Sequence, residues 1–373
     1  MKKFAHITYC LYCNFTNYGS ALHTYALQRV LNSIAPEKVE SIVLDYCPDI
    51  LQDKNVLDPI KNLWDADEES KRMVELSMPA IRVNNTKFLN FYNEHFKISE
   101  GKYTSENFDT AVLNEDLDGF VCGSDTIWCI REFGGFEDGF FGNYESMKKS
   151  HTISYAASFG DVDFTDNELD TLRDRMKNFK AIGLRESVNQ DFIENVVDVP
   201  VERVLDPTLL LHGEDYSSIT AERIIPEKYI LLYTRRYNKA MEDYADRLAE
   251  KLGCKVVEIS LRATNSSKHI MKYDAGVEEF LSLAEHAEMV VTNSFHGAIF
   301  AIQKHSPFRV FSREQADTKI DELLKWLDLE KCKMVTGTET DDFQIDFDNV
   351  EKLLEDKRQS SLNFLKEALE INE

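Results

Sequence analysis

The stretch that decides the fold is Met289-Val290-Val291-Thr292-Asn293-Ser294-Phe295-His296-Gly297, followed by Ala298-Ile299-Phe300-Ala301-Ile302. A β-branched run ends at polar residues and an apolar run follows, which predicts a strand, a tight turn and a helix. In a parallel sheet, such a turn puts the free N–H groups and the positive end of the helix dipole at the carboxyl edge of the strands, where anions bind. The sequence therefore predicts an anion site with His296 beside it.

The same alternation of strand and helix surrounds this stretch. The predicted elements, in order, are strand 229–233, helix 238–252, strand 256–259, helix 277–286, strand 289–292, helix 296–305, strand 308–311 and helix 317–327. Alternation of this kind predicts a parallel sheet with helices on both faces, a Rossmann-like domain.

The first half of the chain alternates less regularly. Its predicted elements are strand 4–9, helix 18–32, strands 40–44, 119–122 and 152–156, helix 166–178, strand 181–184, helix 187–196 and strand 201–205. Residues 50–105 look like a charged helical insertion in which Phe88, Phe91 and Phe96 cover one face.

We therefore predict an α/β protein of two Rossmann-like domains in a GT-B-like arrangement, with the active site in the cleft between them. The domains are 1–212, on the acceptor side and with the insertion, and 213–345, on the donor side. A final helix within 346–373 is free to cross back onto the first domain. Fold alone does not give the reaction, so the site residues must.

Composition narrows the class of function. The 373 residues are 43% hydrophobic and 29% charged, and no apolar run is long enough to span a membrane. The formal net charge of −23 argues against general binding to nucleic acid, which requires neutralised phosphates. Seven scattered cysteines are typical of a reducing cytosol. Cys10 and Cys13 have redox-motif spacing, but ordinary thiols are favoured because the other features of such a motif are missing.

Two turns of the first half carry candidate sugar-binding residues. Asn17-Tyr18-Gly19-Ser20 opens a helix, and Gly19 permits a close backbone approach. Gly123-Ser124-Asp125-Thr126-Ile127-Trp128 directly follows a predicted strand. Asp125 is suited to accept a proton from a sugar hydroxyl, and Trp128 to lie on a sugar ring. The alternative is structural: capping by Asn17 and Asp125, and a core position for Trp128.

Two arginines end predicted strands at the same edges. Arg185 lies in Gly183-Leu184-Arg185-Glu186 and Arg235 in Tyr233-Thr234-Arg235-Arg236, and guanidinium groups suit bidentate binding of phosphate or carboxylate. Glu186 is placed to neutralise Arg185 instead, and arginines in turns are usually solvated. The structural alternative for His296 is a histidine satisfied at a helix start, but its position at a helix N-terminus on the sheet edge favours a functional role.

Together these residues make the chain resemble the polysaccharide pyruvyl transferase family over most of its length. The motifs that carry the resemblance are Asn17–Leu22 with Tyr25–Gln28, Gly123-Ser124-Asp125 with Trp128, Ser154–Gly160, Arg185-Glu186, Leu205–Leu210, and Ser294–Gly297 with Phe300-Ala301. The chain departs from the family pattern at His23, at Thr126 and Cys129, and at Ser294, where some branches have arginine. The last departure makes Arg185 and Arg235 more important.

The resemblance implies transfer of a pyruvyl group from phosphoenolpyruvate to two hydroxyls of a sugar, forming a cyclic ketal and releasing phosphate. It implies His296 and Asp125 as catalytic residues. Donor binding falls to Arg185, Arg235, Asn293 and Ser294, and acceptor binding to Asn17, Tyr18, Gly19, Ser124 and Trp128. The scheme requires no metal and no cofactor.

Two other functions stay open. One is a GT-B glycosyltransferase that uses a nucleotide sugar, for which Glu314 is an available ribose contact. The other is a non-catalytic glycan-binding homologue. We expect a cytoplasmic protein without an integral membrane segment, which a lipid-linked acceptor would bring to the inner face of the membrane.

Overall fold

The computed structural model describes residues 1–62, 67–312, 317–334 and 344–371. The strands are β1 (Lys2–Ile7), β2 (Val39–Tyr46), β3 (Ile98–Tyr103), β4 (Gly119–Cys122), β5 (His151–Ala157), β6 (Ile182–Leu184), β7 (Val201–Arg203), β8 (Tyr229–Tyr233), β9 (Lys255–Ile259), β10 (Ile270–Met271), β11 (Met289–Thr292), β12 (Phe308–Phe311) and β13 (Lys333–Met334). The helices are α1 (Tyr18–Ile34), α2 (Glu68–His95), α3 (Ala111–Asn114), α4 (Glu145–Lys149), α5 (Asp166–Met176), α6 (Gln190–Glu194), α7 (Lys239–Leu252), α8 (Val277–Glu285), α9 (Phe295–Gln303), α10 (Thr318–Trp326) and α11 (Phe347–Ala368).

The strands form two parallel sheets. The sheet of the first domain has the order β3-β2-β1-β4-β5-β6-β7, and that of the second has β10-β9-β8-β11-β12-β13. Both follow the Rossmann order, in which the direction of winding reverses between two central strands. Here the reversals lie between β1 and β4 and between β8 and β11, which is where ligands bind in folds of this type. The prediction of two Rossmann-like domains is confirmed.

The central strands are buried on both faces because helices cover both sides of each sheet. Every residue of β4 and of β8 is buried. Adjacent residues of β1 show the two faces, since Phe4 belongs to one hydrophobic cluster and Ala5 to another. Continuous apolar runs of this kind are what a parallel sheet requires.

The segment 50–105 differs in part from the prediction. It contains the 28-residue helix α2, whose Phe88 and Phe91 are buried. Its end, however, is the edge strand β3, which pairs with β2 in parallel. The sequence hid this strand because the residues between Ile98 and Tyr103 are polar or glycine, as an edge strand tolerates.

Helix α11 lies against the first domain. The N–H of Leu205 donates to Ser361 Oγ at 3.0 Å, and Arg358 Nε donates to the carbonyl of Leu209 at 3.0 Å. The ring of Phe364 lies 6.4 Å from that of Tyr155. Within the described ranges, none of the helices combines the length and apolar character needed to cross a membrane.

Candidate active site

Four turns, two from each sheet, meet at the points where the winding reverses. They are the start of α1, the turn after β4, the turn after β8 and the start of α9. They contribute Asn17, Asp125, Arg235, Ser294 and His296 to one cavity of about 570 Å³. This volume is in the range of small-molecule sites. The remaining lining residues are Tyr9, Cys13, Asn14, Phe15, Thr126, Cys129, Arg131, Glu132, Gly160, Asp161, Val162, Phe295 and Lys319.

Hydrogen bonds hold the turn between β11 and α9 on both sides. Ser294 caps α9, its Oγ accepting from the N–H of Gly297 at 3.3 Å. The hydroxyl of Thr292 accepts from the N–H of Ser294 at 3.0 Å and donates to the carbonyl of Tyr233 at 2.8 Å. The start of α9 is therefore held rigidly at the edge of β8, with its positive end toward the cavity.

His296 sits between the two domains. The residue is only 7% exposed. Its Nε2 lies 3.3 Å from Asp206 Oδ2, and its Nδ1 faces Gly19 at the start of α1. Burial lowers the pKa of His296 below its usual value, and the negative charge of Asp206 opposes that shift.

Asp206 lies in the Leu205–Leu210 motif, but no role at the site was predicted for it. It follows β7, and Arg185 Nη1 donates to its Oδ2 at 3.2 Å. Its other oxygen accepts from the N–H and hydroxyl of Thr208, at 3.0 and 2.6 Å. Although burial alone would raise its pKa, His296 and Arg185 hold it well below the usual range. A carboxylate directly after a strand was the signal that identified Asp125, and it applied equally here.

Asp125 is a buried, paired carboxylate at the cavity wall. Ser20 Oγ donates to its Oδ2 at 2.8 Å, and His23 Nε2 and Arg185 Nη2 each lie 3.5 Å from the carboxylate. Burial works to raise the pKa of Asp125, but His23 and Arg185 hold it well below its usual range. These contacts with Ser20, His23 and Arg185 favour an electrostatic role for Asp125, and its role as a base stays a prediction.

Arg185 differs from the prediction that it contacts the donor. Its side chain is 1% exposed, and it is not among the residues that line the cavity. The guanidinium pairs with Asp125, with Glu186 at 3.7 Å and with Asp206, and lies 5.1 Å from the ring centre of Phe295. The structural alternative, neutralisation by neighbouring carboxylates, is what the structure contains. Arg185 holds the acidic residues of the site together.

Arg235 does line the cavity, and Asn293 positions it. The Arg235 side chain is exposed, and its Nη1 donates to the carbonyl of Thr16 over a long distance of 3.4 Å. Asn293 is buried, and its side chain accepts from the N–H of Arg235 at 3.0 Å and donates to the carbonyl of Arg236 at 2.7 Å. Asn293 therefore holds the arginine turn in place instead of reaching a ligand itself.

Three predicted acceptor contacts are buried in the protein and need correction. Trp128 is 0% exposed, and its Nε1 donates to the carbonyl of Phe140 at 2.8 Å. Tyr18 stacks on Phe280 of the second domain at 4.5 Å. The hydroxyl of Ser124 donates to a backbone carbonyl at 2.8 Å, and the residue is fully buried. These side chains lie in the protein interior, because tertiary contacts cover their positions after β4 and at the start of α1.

Asn17 remains at the cavity edge, whereas Gly19 is buried and does not line the cavity. Asn17 caps α1 by accepting from the N–H of Gly19 at 3.1 Å, and it also lines the cavity. The wall beside Asn17 includes Tyr9, Arg131 and Glu132, which no sequence motif had marked. The hydroxyl of Thr126 donates to Glu132 at 3.0 Å, so this wall is polar.

The model of one protein family, described as polysaccharide pyruvyl transferase, matches residues 17–315, well over half of the chain. The chain belongs to the polysaccharide pyruvyl transferase family. The resemblance inferred from the motifs is thereby confirmed, and the family supports pyruvyl transfer to a polysaccharide in general terms. A search of curated proteins found no match.

Solved structures show the fold of the polysaccharide pyruvyl transferase chain. A putative UDP-N-acetylglucosamine 2-epimerase from Listeria monocytogenes has a TM-score of 0.52 at 12% sequence identity. The match covers 97% of this chain and 90% of the Listeria chain. UDP-GlcNAc 2-epimerase from Methanocaldococcus jannaschii has a TM-score of 0.48 at 12% identity, with 95% and 92% covered. The similarity to the Listeria protein confirms the predicted GT-B-like arrangement. Glu314, the ribose contact considered for a nucleotide sugar, lies outside the described residues.

Proposed function

We propose that this protein transfers a pyruvyl group from phosphoenolpyruvate to two hydroxyls of a sugar in a polysaccharide or its precursor, forming a cyclic ketal and releasing phosphate. The observation that carries the proposal is the shared cavity. His296 and Arg235 follow two adjacent strands of the second sheet, and they line the same cavity as Asn17 and Asp125 of the first domain. The proposed donor site and the proposed acceptor site would therefore face each other.

The reaction balances without an external oxidant or reductant. A proton added to the methylene carbon of phosphoenolpyruvate makes the neighbouring carbon cationic, and the first sugar hydroxyl attacks it. The C–O bond to phosphate then breaks, and the second hydroxyl closes the ring. Of the two hydroxyl protons, one returns to the acid that protonated the methylene carbon. The other leaves on the phosphate.

The donor would lie against the second domain. Its phosphate and carboxylate need cations and N–H groups, which the guanidinium of Arg235 and the positive end of α9 behind Ser294 provide. Arg131 and Lys319 also line the cavity. His296, at the start of α9, would then give the proton to the methylene carbon, a role that typically contributes ~10²–10⁴-fold in rate.

The acceptor would lie against the first domain. A cavity of about 570 Å³ is much larger than phosphoenolpyruvate needs, which leaves space for a sugar beside the Asn17 and Glu132 wall. The proposed location is the cytoplasm, with a lipid-linked acceptor bringing the enzyme to the inner face of the membrane.

The test is phosphate release from phosphoenolpyruvate in the presence of a panel of galactosides and N-acetylhexosamines, with mass detection of the pyruvylated product. His296→Ala should abolish release, and His286→Ala, on the far end of α8 where its Nδ1 meets the carbonyl of Ser282, should not. In parallel, the melting temperature of the protein is measured with nucleotide sugars and with phosphoenolpyruvate. A shift with a nucleotide sugar and none with phosphoenolpyruvate would point to a glycosyltransferase. Sugar binding without phosphate release across the panel would point to a glycan-binding homologue.

A further inference from the structure

We infer that Asp206 of the first domain is the positioning residue of His296 of the second domain. It holds Nε2 of the ring and favours the protonated form, so that the proton donor is complete only where the two domains meet. This inference rests on the proposed function in the identity of the reaction, but the contact itself is independent of it.

The geometry pairs Nε2 of His296 with Asp206. The atom is buried and makes no regular hydrogen bond in the part of the chain that the structure describes. The nearest acidic oxygen is Asp206 Oδ2 at 3.3 Å, on a side chain with 0% exposure. Long contacts of this kind commonly shorten when a substrate binds. A small rotation of the ring would turn the contact into a charge-assisted hydrogen bond.

Asp206 is itself fixed, as a positioning residue must be. Thr208 holds Oδ1 with its N–H and its hydroxyl, and Arg185 Nη1 donates to Oδ2 at 3.2 Å. Pro207 follows Asp206 directly and begins a short 3₁₀ turn. The carboxylate therefore presents one orientation to the ring instead of sampling several rotamers.

The carboxylates near His296 favour a proton on its ring, and the nearby cations oppose it. Asp206 and Asp125 are negative, Arg185 is positive, and the ring of His23 lies 6.1 Å away. Lys319 of α10 adds a positive charge 5.7 Å from the ring of Phe295. Asp206 is the strongest of the charges that oppose the effect of burial on the pKa of His296. Without Asp206, burial would act with less opposition and the pKa would fall.

This arrangement assigns the substrate to the other ring nitrogen. With Nε2 directed to Asp206, Nδ1 is the ring nitrogen left for the substrate. It packs against Gly19 at the start of α1, so the substrate would approach it from the cavity, which Asn17 and His296 line. The proton would pass from Nδ1 to the methylene carbon of phosphoenolpyruvate, leaving a neutral ring. A proton from the attacking sugar hydroxyl would restore the protonated form.

Nuclear magnetic resonance of the ¹⁵N-histidine-labelled protein tests the inference directly. His296→Gln identifies the signal of His296 among the nine histidines. In the wild type, neutral His296 should be the Nε2–H tautomer, and in Asp206→Asn its titration should move to lower pH. The Nδ1–H tautomer, or a titration that does not move, would overturn the inference. The tautomer is measured on the wild type alone, so the inference can still be tested if Asp206→Asn fails to fold.

Glu186→Gln is the matched control. It removes a buried carboxylate that pairs with the same guanidinium, Arg185 Nε at 3.7 Å, but that does not contact His296. Asp206→Asn should lower kcat ~10²-fold and move the basic limb of the pH profile to lower pH. Glu186→Gln should leave that limb in place. If Asp206 had a purely structural role, Asp206→Asn would lower kcat by the same factor at every pH.

The two proposals fail separately. If His296 has the expected tautomer and titration but phosphoenolpyruvate releases no phosphate with any acceptor, the positioning role stands and the proposed reaction is wrong. If phosphate is released and the His296 titration is the same in Asp206→Asn, the reaction stands and the positioning role is wrong.

Discussion

Gly19 of the first domain and His296 of the second lie in direct contact, with no room for a side chain between them. A Cβ on Gly19 would overlap Nδ1 of His296 and lie 2.7 Å from Cε1. The sequence predicts that this glycine permits a close approach of the backbone to a ligand. The close approach is instead to the ring of the candidate proton donor, so the starts of α1 and α9 fix each other.

Gly19→Ala should therefore disable the site without unfolding the protein. The added methyl group displaces the His296 ring from Asp206, and we expect ~10²-fold slower phosphate release. Gly253→Ala is the control for general destabilisation, because it strains the left-handed end of α7 by about 1 kcal/mol, far from the cavity. Normal turnover in Gly19→Ala would mean that the ring position is not critical.

The central elements of the fold were predictable because their signals are local. The strands β1, β4, β8 and β11 are apolar runs that stop at turn residues, and each was predicted within about two residues. The missed strands β3, β10 and β13 lie at sheet edges or contain two residues each. Such strands bury few side chains, so their sequences need no hydrophobic pattern.

The position of the site was predictable from the sequence, but the burial of its side chains was not. Asp125, Arg185, Trp128 and His296 all lie near strand ends, as expected, yet packing decides which of them meets solvent. Arg185 and Trp128 point into the protein, where carboxylates and aromatic rings surround them. The pairing of Asp206 with His296 joins residues from different domains, and no spacing in the chain reports such a contact.

Trp128→Phe should cost stability and leave sugar binding intact. The indole is fully buried, and its loss leaves the carbonyl of Phe140 without its donor, at a cost of ~1–3 kcal/mol in the free energy of unfolding. Urea denaturation measures that loss, and the KM for the acceptor should stay at the wild-type value. A raised acceptor KM with unchanged stability would return Trp128 to the sugar site.

His269 should make the stability of the second domain depend on pH. Its ring nitrogens lie 2.5 Å from Glu258 and 2.6 Å from Asp246. Burial lowers its pKa, but the two carboxylates outweigh burial and raise the pKa above the usual value. The stabilisation is therefore complete below about pH 6.5, the ordinary histidine value, and is lost as the pH rises through the folded-state pKa.

His269→Gln should consequently destabilise the protein more at pH 6 than at pH 9, as measured by urea denaturation. His286→Gln is the control, because that ring contacts a backbone carbonyl of its own helix. A stability difference between wild type and His269→Gln that does not change with pH would show that the ring acts by packing alone.

The two predicted donor arginines should behave in opposite ways. Arg185→Ala leaves Asp125, Glu186 and Asp206 buried without their shared counter-charge, so we expect a loss of ~3–5 kcal/mol in the free energy of unfolding.

Arg235→Ala removes an exposed guanidinium from the cavity wall, so the free energy of unfolding should change by less than ~0.5 kcal/mol. The Kd for phosphoenolpyruvate should rise ~10–100-fold, in line with the loss of a charge-assisted hydrogen bond. Calorimetry and urea denaturation measure the two quantities, with Arg247→Ala, an exposed arginine on α7, as the control for both. If Arg185→Ala keeps wild-type stability and loses affinity for phosphoenolpyruvate, the buried arginine is a donor contact after all.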